Sequence, residues 1–320
     1  MAEFSLIERI RARAATRGDV LLGIGDDAAL LRVPEGQALV VSTDTLIAGR
    51  HFPRESSAAD IGWKSLAVNL SDLAAMAATP AWASLALTLP SPDADWLDEF
   101  LDGFLELAQA HEVALIGGDT TRGELSITVT VQGFVPADQA LRRSGARAGE
   151  DIWVTGSLGD AAGALKQWRQ GGLQSAKLRY RLDRPTPRIE AALALRGLAT
   201  AAIDLSDGLV ADLGHVLEAS GVGAELDLGR LPTSRTLADH YADETLRWNL
   251  QLAGGDDYEL CFTAPPSDAL AIEQAMAACE TSATVIGHVR RERGLLLRTP
   301  EGEAFVTQSS GFDHFGEAGA

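Results

Sequence analysis

The chain contains little cysteine and no long apolar run. Its two cysteines, Cys261 and Cys279, give neither a CxxC pair nor a zinc-type Cys/His spacing, so a disulfide framework is excluded. No apolar run approaches the roughly 20 residues that a membrane-spanning helix needs. Glu8 and Arg9 interrupt the apolar residues near the N-terminus, where a signal peptide would have its hydrophobic core. We therefore expect a cytoplasmic location and no membrane partner.

Positive charge is also scarce. The sequence has 27 Lys and Arg against 45 Asp and Glu, a formal net charge of −18. This balance argues against nucleic acid or an anionic membrane as a partner. It also implies that an anionic substrate would need metal ions to be held. With 320 residues, the chain is long enough for one large domain or two ordinary ones.

The common phosphate-binding motifs are missing. There is no G-x-x-x-x-G-K-[ST] loop, no protein-kinase signature set and no acidic stretch with EF-hand spacing. Gly23-x-Gly25-x-x-Ala28 formally matches the dinucleotide fingerprint, but the following apolar segment stops at Pro34. No helix then offers its N-terminus to a pyrophosphate, so we reject this match.

What the chain does have is acids beside Gly or Ser at the ends of apolar runs. These stretches are Gly23-Ile24-Gly25-Asp26-Asp27, Ser42-Thr43-Asp44, Asn69-Leu70-Ser71-Asp72, Gly117-Gly118-Asp119-Thr120, Asp204-Leu205-Ser206-Asp207-Gly208 and Gly254-Gly255-Asp256-Asp257. Each one alone is explained as a turn or a helix N-cap. Carboxylates that meet where water is scarce need cations, and Mg²⁺ prefers oxygen ligands. Taken together, the stretches predict one cleft that holds several Mg²⁺ ions and, through them, polyphosphate.

The hydrophobic pattern predicts a mixed α/β fold. Helices are expected over residues 4–15, 59–78, 95–111, 187–200 and 209–220, and strands over 20–24, 29–33, 38–42, 81–89, 114–116, 124–135, 151–155, 224–228 and 258–262. Residues 169–187 are expected to form a polar, Arg-rich loop. Asn69 and Asp72 are three apart, so they share a helix face. Leu70-Ser71-Asp72 and Leu205-Ser206-Asp207 form one of three matches at nearly one offset, which suggests two related halves.

These motifs resemble those of the thiamine-monophosphate kinases, in the PurM-like ATP-binding superfamily. The resemblance rests on Gly-Ile-Gly-Asp-Asp-Ala at 23–28, Ser-Thr-Asp-Thr at 42–45, Ala-Val-Asn-Leu-Ser-Asp-Leu-Ala-Ala-Met at 67–76, Ile-Gly-Gly-Asp-Thr-Thr at 116–121 and Ile-Asp-Leu-Ser-Asp-Gly-Leu at 203–209. It implies an α/β (α+β) fold of two PurM-like domains. Residues 1–137 would form a β-rich, ATP- and Mg²⁺-binding and dimerisation domain. Residues 138–320 would form an α/β domain with a substrate-contacting tail.

The resemblance also implies an activity and a site. The activity is direct, in-line transfer of the γ-phosphoryl group from ATP to thiamine monophosphate, assisted by Mg²⁺, in a homodimer. By matching position, the Mg²⁺ ligands would be Asp27, Ser42, Thr43, Asp44, Asp72, Asp119, Asp204 and Asp207. ATP would contact Gly118, Asp119, Arg143 and Ser206, and the thiamine substrate would contact His51, Asp256 and Phe312. Asp256 stands where relatives usually have Glu, and Phe312 where an aromatic with a polar edge is common. No covalent or acid–base catalytic residue is expected.

Other functions of this superfamily fit less well. A selenophosphate synthetase should carry a reactive Cys near its N-terminus, whereas the first cysteine here is Cys261. A hydrogenase maturation factor should end in a modifiable Cys, and this sequence ends Glu317-Ala318-Gly319-Ala320. An aminoimidazole ribonucleotide synthetase-like enzyme and a non-catalytic nucleotide or divalent-cation sensor both stay open at this point.

Overall fold

A computed structural model describes residues 3–171, 175–307 and 311, with the side chains of residues 3 and 4 left out. The chain divides into two compact units. The first comprises the residues up to Leu73 together with Ala78–Asp138, and the second comprises Ala74–Ala77 together with the chain from Gln139 onward. Among the described residues, no helix combines the length and apolar character that crossing a bilayer requires.

The first unit is a four-stranded sheet with helices and a small ribbon. Its helices are α1 (Glu3–Arg13), α2 (Ala58–Ala75) and α3 (Ala94–Ala110), and its strands are β1 (Val20–Leu22), β2 (Leu30–Leu31), β3 (Gln37–Ile47), β4 (Thr79–Leu89), β5 (Ala114–Arg122) and β6 (Ser126–Pro136). The strand order is β3-β6-β4-β5, with β4 and β5 parallel and the other pairs antiparallel. β1 and β2 form a separate antiparallel pair.

One face of this sheet is buried and the other is exposed. Along β6, Ile127, Val129 and Val131 are fully buried, and the threonines between them are partly exposed. This period of two is what a half-buried strand requires. Helices α2 and α3 cross closely enough to need glycine: a Cβ added to Gly103 would lie 1.8 Å from the Ala59 carbonyl oxygen.

The second unit is a seven-stranded sheet with several helices. Its helices are α4 (Asp160–Arg169), α5 (Ala176–Asp183), α6 (Ile189–Ala194), α7 (Leu209–Ser220), α8 (Arg235–His240), α9 (Glu244–Ala253) and α10 (Ala269–Ala278), and its strands are β7 (Asp151–Thr155), β8 (Ala201–Asp204), β9 (Gly223–Asp227), β10 (Leu260–Ala264), β11 (Ala283–Arg290), β12 (Gly294–Arg298) and β13 (Ala304–Phe305). Short 3₁₀ turns cover Leu228–Arg230 and Pro266–Asp268. The strand order is β13-β12-β9-β11-β7-β10-β8, and only the β9–β12 pair is parallel among these described strands.

The mixed α/β character is confirmed, and most long elements lie where the pattern predicted them. Two strands are longer than predicted: β3 continues to Ile47 and β5 to Arg122. Ser42-Thr43-Asp44 and Gly117-Gly118-Asp119 therefore lie inside strands and not at their ends. This difference decides which way their side chains point.

Two predictions in the second half are wrong. The expected loop over residues 169–187 contains α5, which begins after the N-cap Ser175 and buries Leu178 and Leu182, four residues apart. The strand expected to begin at Tyr258 begins at Leu260. Asp256 and Tyr258 have positive φ angles of 61° and 48°, so the chain is still in a turn there.

Candidate active site

In the first unit, β3 and α2 bring three predicted ligands together. The Ser42 hydroxyl donates a hydrogen bond to Asp72 Oδ2 at 2.5 Å. The Asp44 backbone N–H donates to Asn69 Oδ1 at 3.0 Å. Ser42 and Asp44 alternate along one face of β3, and Asn69 and Asp72 are three apart on α2. Two side chains of the helix thus hold two alternate residues of the strand.

Thr43 points to the other face of the sheet. Adjacent residues of a strand project to opposite sides, and the Thr43 hydroxyl is paired with the Thr130 hydroxyl at 2.8 Å on the neighbouring strand. The sequence pattern treats Ser42, Thr43 and Asp44 as one set of ligands. In the first unit, the Thr43 side chain is not on the face that carries Asp44.

Asp119 shares the outer face with the threonines. The strand register places Thr45, Thr128, Ala86 and Asp119 in one row across the sheet, and Asp119 is exposed. Gly118 precedes it with a φ of +151°, and a Cβ there would lie 1.8 Å from the Leu85 carbonyl oxygen. Glycine at this position lets β5 lie directly against β4. Within the first unit, Asp119 and Asp44 therefore occupy different faces.

Asp27 and His51 lie at the edges of this unit. Asp27 is exposed in the turn between β1 and β2, and its backbone N–H donates to Asp26 Oδ1 at 2.9 Å. His51 Nδ1 accepts a hydrogen bond from the Ile47 N–H at 3.0 Å, which fixes the ring at the end of β3. Because Nδ1 accepts, the neutral imidazole carries its proton on Nε2.

In the second unit, two distant turns are tied together. The Asp256 N–H donates to the Ser206 carbonyl oxygen and the Tyr258 N–H to the Leu205 carbonyl oxygen, both at 2.8 Å. These bonds continue the antiparallel pairing of β10 with β8, where Leu260 is opposite Asp204. Asp204 at the end of β8 and Ser206 and Asp256 in the two adjoining turns, all predicted from the sequence as site residues, are therefore brought together.

The buried Asp212 side chain accepts hydrogen bonds from the turn that carries Asp207. The Asp212 side chain is buried, and its Oδ2 accepts the backbone N–H groups of Asp207 and Gly208, each at 3.1 Å. Burial, and secondly the charge of Asp207, raise the pKa of Asp212 to about 7. Sequence reasoning missed this residue. The available signal was an acid in the first turn of a helix that follows a Gly-containing loop.

Two further buried acids, Asp257 and Glu259, follow the Gly254-Gly255-Asp256 turn in the sequence. Asp257 accepts the Gly159 N–H at 2.8 Å, and burial raises its pKa well above the usual range. Glu259 is fully buried and accepts hydrogen bonds from Thr155 Oγ1, Arg181 and Arg188 at 2.6–2.7 Å. Sequence reasoning also missed Glu259, although a carboxylate inside the apolar run Tyr258–Phe262 was a visible signal.

Arg143 and the tail complete the predicted set. The Arg143 carbonyl accepts from Ser220 Oγ at 3.2 Å, which anchors the segment that carries its exposed side chain. Phe312 lies outside the described residues. The preceding Gly311 lies against the Asp207 turn, because a Cβ added there would be 2.6 Å from Ala211 Cβ and 3.0 Å from the Asp207 carbonyl oxygen.

The chemistry of these donors suits Mg²⁺. Ser42, Asp44 and Asp72 in one unit, and Asp204 and Asp207 in the other, offer only oxygen atoms, which is the donor type that this hard cation prefers. Among the described residues, no three His, Cys, Asp or Glu side chains are grouped so that they could hold an ion by themselves.

Two protein-family models match the chain, one for each half. The model described as AIR synthase related protein, N-terminal domain, matches residues 25–135, and its C-terminal counterpart matches residues 147–298. The two matches cover most of the sequence, and they confirm the predicted two-domain PurM-like fold.

Individual relatives match over nearly the whole chain. A thiamine-monophosphate kinase of Escherichia coli (strain K12) is 49% identical over 98% of this chain and 98% of its own. The crystal structure of thiamine-monophosphate kinase from Stenotrophomonas maltophilia K279a superposes with a TM-score of 0.88 at 52% identity, covering 95% of this chain and 98% of that one. A structure of AaThiL complexed with AMPPCP and TMP superposes with a TM-score of 0.77 at 29% identity, covering 98% and 97%.

Proposed function

Because the chain belongs to the thiamine-monophosphate kinases, as its motifs predicted, we propose that it uses Mg²⁺ and its own carboxylates to transfer the γ-phosphoryl group of ATP in line to thiamine monophosphate. The chain is an ATP-dependent kinase, and the product of its reaction is thiamine diphosphate. The match to curated kinases over 98% of the chain carries this conclusion. It does not favour the synthetase-like and sensor functions that the sequence left open.

The acceptor explains why no catalytic base is needed. The oxygen that attacks ATP belongs to a phosphate, which is already ionised at neutral pH. The protein then has to align two anions and neutralise their charge. The described site residues are acids, hydroxyls and glycines, with Arg143 as the predicted ATP contact and His51 as a predicted substrate contact. We therefore expect direct transfer, with no phosphorylated protein intermediate.

The use of Mg²⁺ is a separate part of the proposal. When bound, it would neutralise phosphate charge that a chain of net charge −18 cannot neutralise alone. Asp27, Ser42, Asp44 and Asp72 in the first unit and Asp204 and Asp207 in the second are the proposed ligands. For Thr43 we propose a backbone contact, because its hydroxyl is paired with Thr130 on the outer face. Asp119 is proposed to bind both Mg²⁺ and ATP from that outer face.

The substrate contacts follow from the family pattern. We propose that Gly118 and Ser206 contact ATP, and that His51 and Asp256 contact thiamine monophosphate, as does Phe312. Asp256 is supported by the two backbone hydrogen bonds that hold its turn. Its side chain is one methylene shorter than the glutamate usual in relatives, so this contact needs a direct test.

A coupled assay tests the activity. ADP should be released from ATP only when thiamine monophosphate is added, and only with Mg²⁺ present. Release of ADP without the thiamine substrate, or ATP binding without turnover, would contradict the kinase function. Incubation with γ-labelled ATP should leave the protein unlabelled, and a trapped phosphoprotein would overturn direct transfer.

Two substitutions test the carboxylates. Asp44→Asn and Asp72→Asn should each lower kcat at least a hundredfold while the fold persists. Asp95→Asn, at an exposed position in the first turn of α3, is the control and should retain full activity. Near-normal turnover of both site variants would remove these residues from the magnesium site.

We also propose a homodimer, formed through the β3 side of the outer face, at the opposite edge of the sheet from Asp119 on β5. Leu39, Val41 and Ile47 on β3 are 46%, 54% and 42% exposed in the single chain, beside the paired threonines. An apolar strand face of this kind is typical of an interface. In sedimentation, Leu39→Glu should reduce the mass from about twice to once 33.8 kDa, whereas Leu270→Glu, at a site 65% exposed on α10, should not. A monomeric wild-type protein would contradict the dimer.

A cytoplasmic location completes the proposal. ATP is a cytoplasmic co-substrate, and neither Cys261 nor Cys279 is in a disulfide. Expression with fractionation should recover the kinase activity with the cytoplasmic proteins.

A further inference from the structure

Asn69 is a fully buried residue on α2 whose side-chain oxygen and nitrogen each make a hydrogen bond. Its Oδ1 accepts the backbone N–H of Asp44 at 3.0 Å, and its Nδ2 donates to the Ser65 carbonyl oxygen at 2.9 Å. The second bond orients the amide, because only the nitrogen can donate to a carbonyl. The oxygen must therefore face β3.

The hydrogen bond from Asp44 to Asn69 satisfies a backbone N–H group of β3. This strand is at the edge of the four-stranded sheet, with β6 as its neighbour on one side. Backbone N–H groups on the open side of an edge strand have no partner in the sheet, and a buried N–H without a partner is costly. Asn69 supplies that partner for Asp44. One helical turn further along α2, Asp72 accepts the Ser42 hydroxyl.

Asn69 therefore controls the backbone from which a proposed ligand projects. The Asp44 carboxylate is attached to the residue whose N–H is held, so loss of the bond frees that part of the edge strand to move. A displacement of about 1 Å is enough to spoil a metal or substrate geometry. Both ends of the Asn69 amide are hydrogen-bonded within the first unit, and the side chain is fully buried.

We propose that Asn69 is a positioning residue that holds the Asp44 carboxylate in its magnesium-binding orientation. This inference rests on the proposed function, in which Asp44 is a Mg²⁺ ligand. A merely structural asparagine would affect stability alone. A positioning asparagine affects the magnesium requirement and kcat, and leaves the affinity for the thiamine substrate nearly unchanged.

Two substitutions at this position separate its two hydrogen bonds. Asn69→Ala removes both, whereas Asn69→Ser keeps a donor that can bond to the Ser65 carbonyl within the helix but cannot reach β3. The two variants should behave alike if the bond to Asp44 is what matters. Asn249→Ala is the matched control, because Asn249 makes the same type of intrahelical bond, to the Thr245 carbonyl at 2.8 Å.

The first measurement is the dependence of turnover on Mg²⁺. For Asn69→Ala and Asn69→Ser, we expect the half-saturating Mg²⁺ concentration to rise at least tenfold and kcat to fall at least tenfold. The KM for thiamine monophosphate should stay within threefold of the wild-type value. Asn249→Ala should match the wild type in all three. A Mg²⁺ requirement within twofold of wild type in Asn69→Ser would overturn the inference.

The second measurement does not depend on activity. Amide hydrogen exchange in the metal-free protein should be at least tenfold faster at Asp44 in both Asn69 variants. Exchange in β4 and β6 should stay unchanged, which distinguishes local release from general unfolding. Unchanged exchange at Asp44 in the soluble Asn69→Ser variant would also overturn the inference.

Asp44→Asn separates this inference from the function on which it rests. If Asp44→Asn raises the Mg²⁺ requirement and the Asn69 variants do not, the positioning role is wrong and the proposed function stands. If Asp44→Asn leaves the Mg²⁺ requirement unchanged, the magnesium role of Asp44 is wrong, and the positioning role fails with it.

Discussion

The backbone N–H of Asp256 donates a hydrogen bond to the backbone carbonyl oxygen of Ser206 at 2.8 Å. Gly255 makes this approach possible. Its φ is +67°, and a Cβ there would lie 2.7 Å from the Ser206 carbonyl oxygen. Residue 255 must therefore be glycine for the backbones of Ser206, the proposed ATP contact, and Asp256, the proposed substrate contact, to lie this close together.

Gly255→Ala should accordingly lower kcat at least tenfold and destabilise the protein. Gly302→Ala is the control, since Gly302 has a φ of +84° but nothing within 4 Å of its added Cβ. Both substitutions carry the backbone strain of a positive φ, on the order of 1 kcal/mol. Only Gly255→Ala also displaces the Ser206 turn. Steady-state kinetics and thermal unfolding measure both effects, and equal kinetics for the two variants would contradict the argument.

Removing the charge of Glu259 should cost far more stability than removing that of a surface glutamate. Glu259 is fully buried between Arg181 and Arg188, so Glu259→Gln leaves two partly buried cations without their counter-charge. A loss of roughly 3 kcal/mol in the free energy of unfolding is expected. Glu244→Gln breaks the pair between a carboxylate that is 65% exposed and Arg247, at 3.1 Å, and should cost less than about 1 kcal/mol. Similar losses in urea unfolding would show that the buried cluster contributes little.

The elements predicted best from sequence are those with a long, regular apolar pattern. Helices α2 and α3 and strand β4 lie close to their predicted positions, because their burial repeats with a fixed period. Helix α5 was missed because Leu178 and Leu182 are its only large apolar anchors among arginines. Two apolar positions are too few to reveal a helical period in the sequence.

The site was harder to predict than the fold, because its details depend on strand register and on distant residues. The Ser-Thr-Asp motif predicted Asp44 and Thr43 as ligands together, but only the observed extent of β3 shows that Thr43 projects to the opposite face. Asp212 accepts N–H groups only four and five residues before it, and its place in the first turn of α7 was the available signal. The arginines that bind Glu259 lie more than 70 positions away, so the sequence around Glu259 does not reveal its partners.

The raised pKa of Asp212 should make stability fall as the pH rises. The native state keeps a proton on this carboxyl up to about pH 7, whereas the unfolded chain releases it near pH 4. Between these values the native state binds more protons, so its stability decreases with increasing pH and levels off above pH 7. Asp212→Asn removes this titration and keeps an acceptor oxygen for the Asp207 and Gly208 N–H groups.

The difference between the two proteins isolates the contribution of Asp212. Relative to Asp212→Asn, the wild type should lose on the order of 2 kcal/mol between pH 5.5 and pH 8. Urea unfolding without Mg²⁺, followed by tryptophan fluorescence, measures this difference at several pH values. A constant difference across the range would mean that Asp212 is already ionised in the native protein at pH 5.5.

Two glycines inside helices should respond to alanine in opposite directions. Gly103 on α3 lies against α2, where an added Cβ would be 1.8 Å from the Ala59 carbonyl oxygen, and neither backbone can yield without separating the helices. Gly103→Ala should destabilise the protein by about 2 kcal/mol or more. Gly214 on α7 has nothing within 4 Å of its added Cβ, so Gly214→Ala gains helix propensity and should stabilise by up to about 1 kcal/mol. Thermal unfolding of the two variants gives the sign of each effect. Stabilisation by Gly103→Ala would show that α2 and α3 do not cross at the distance described.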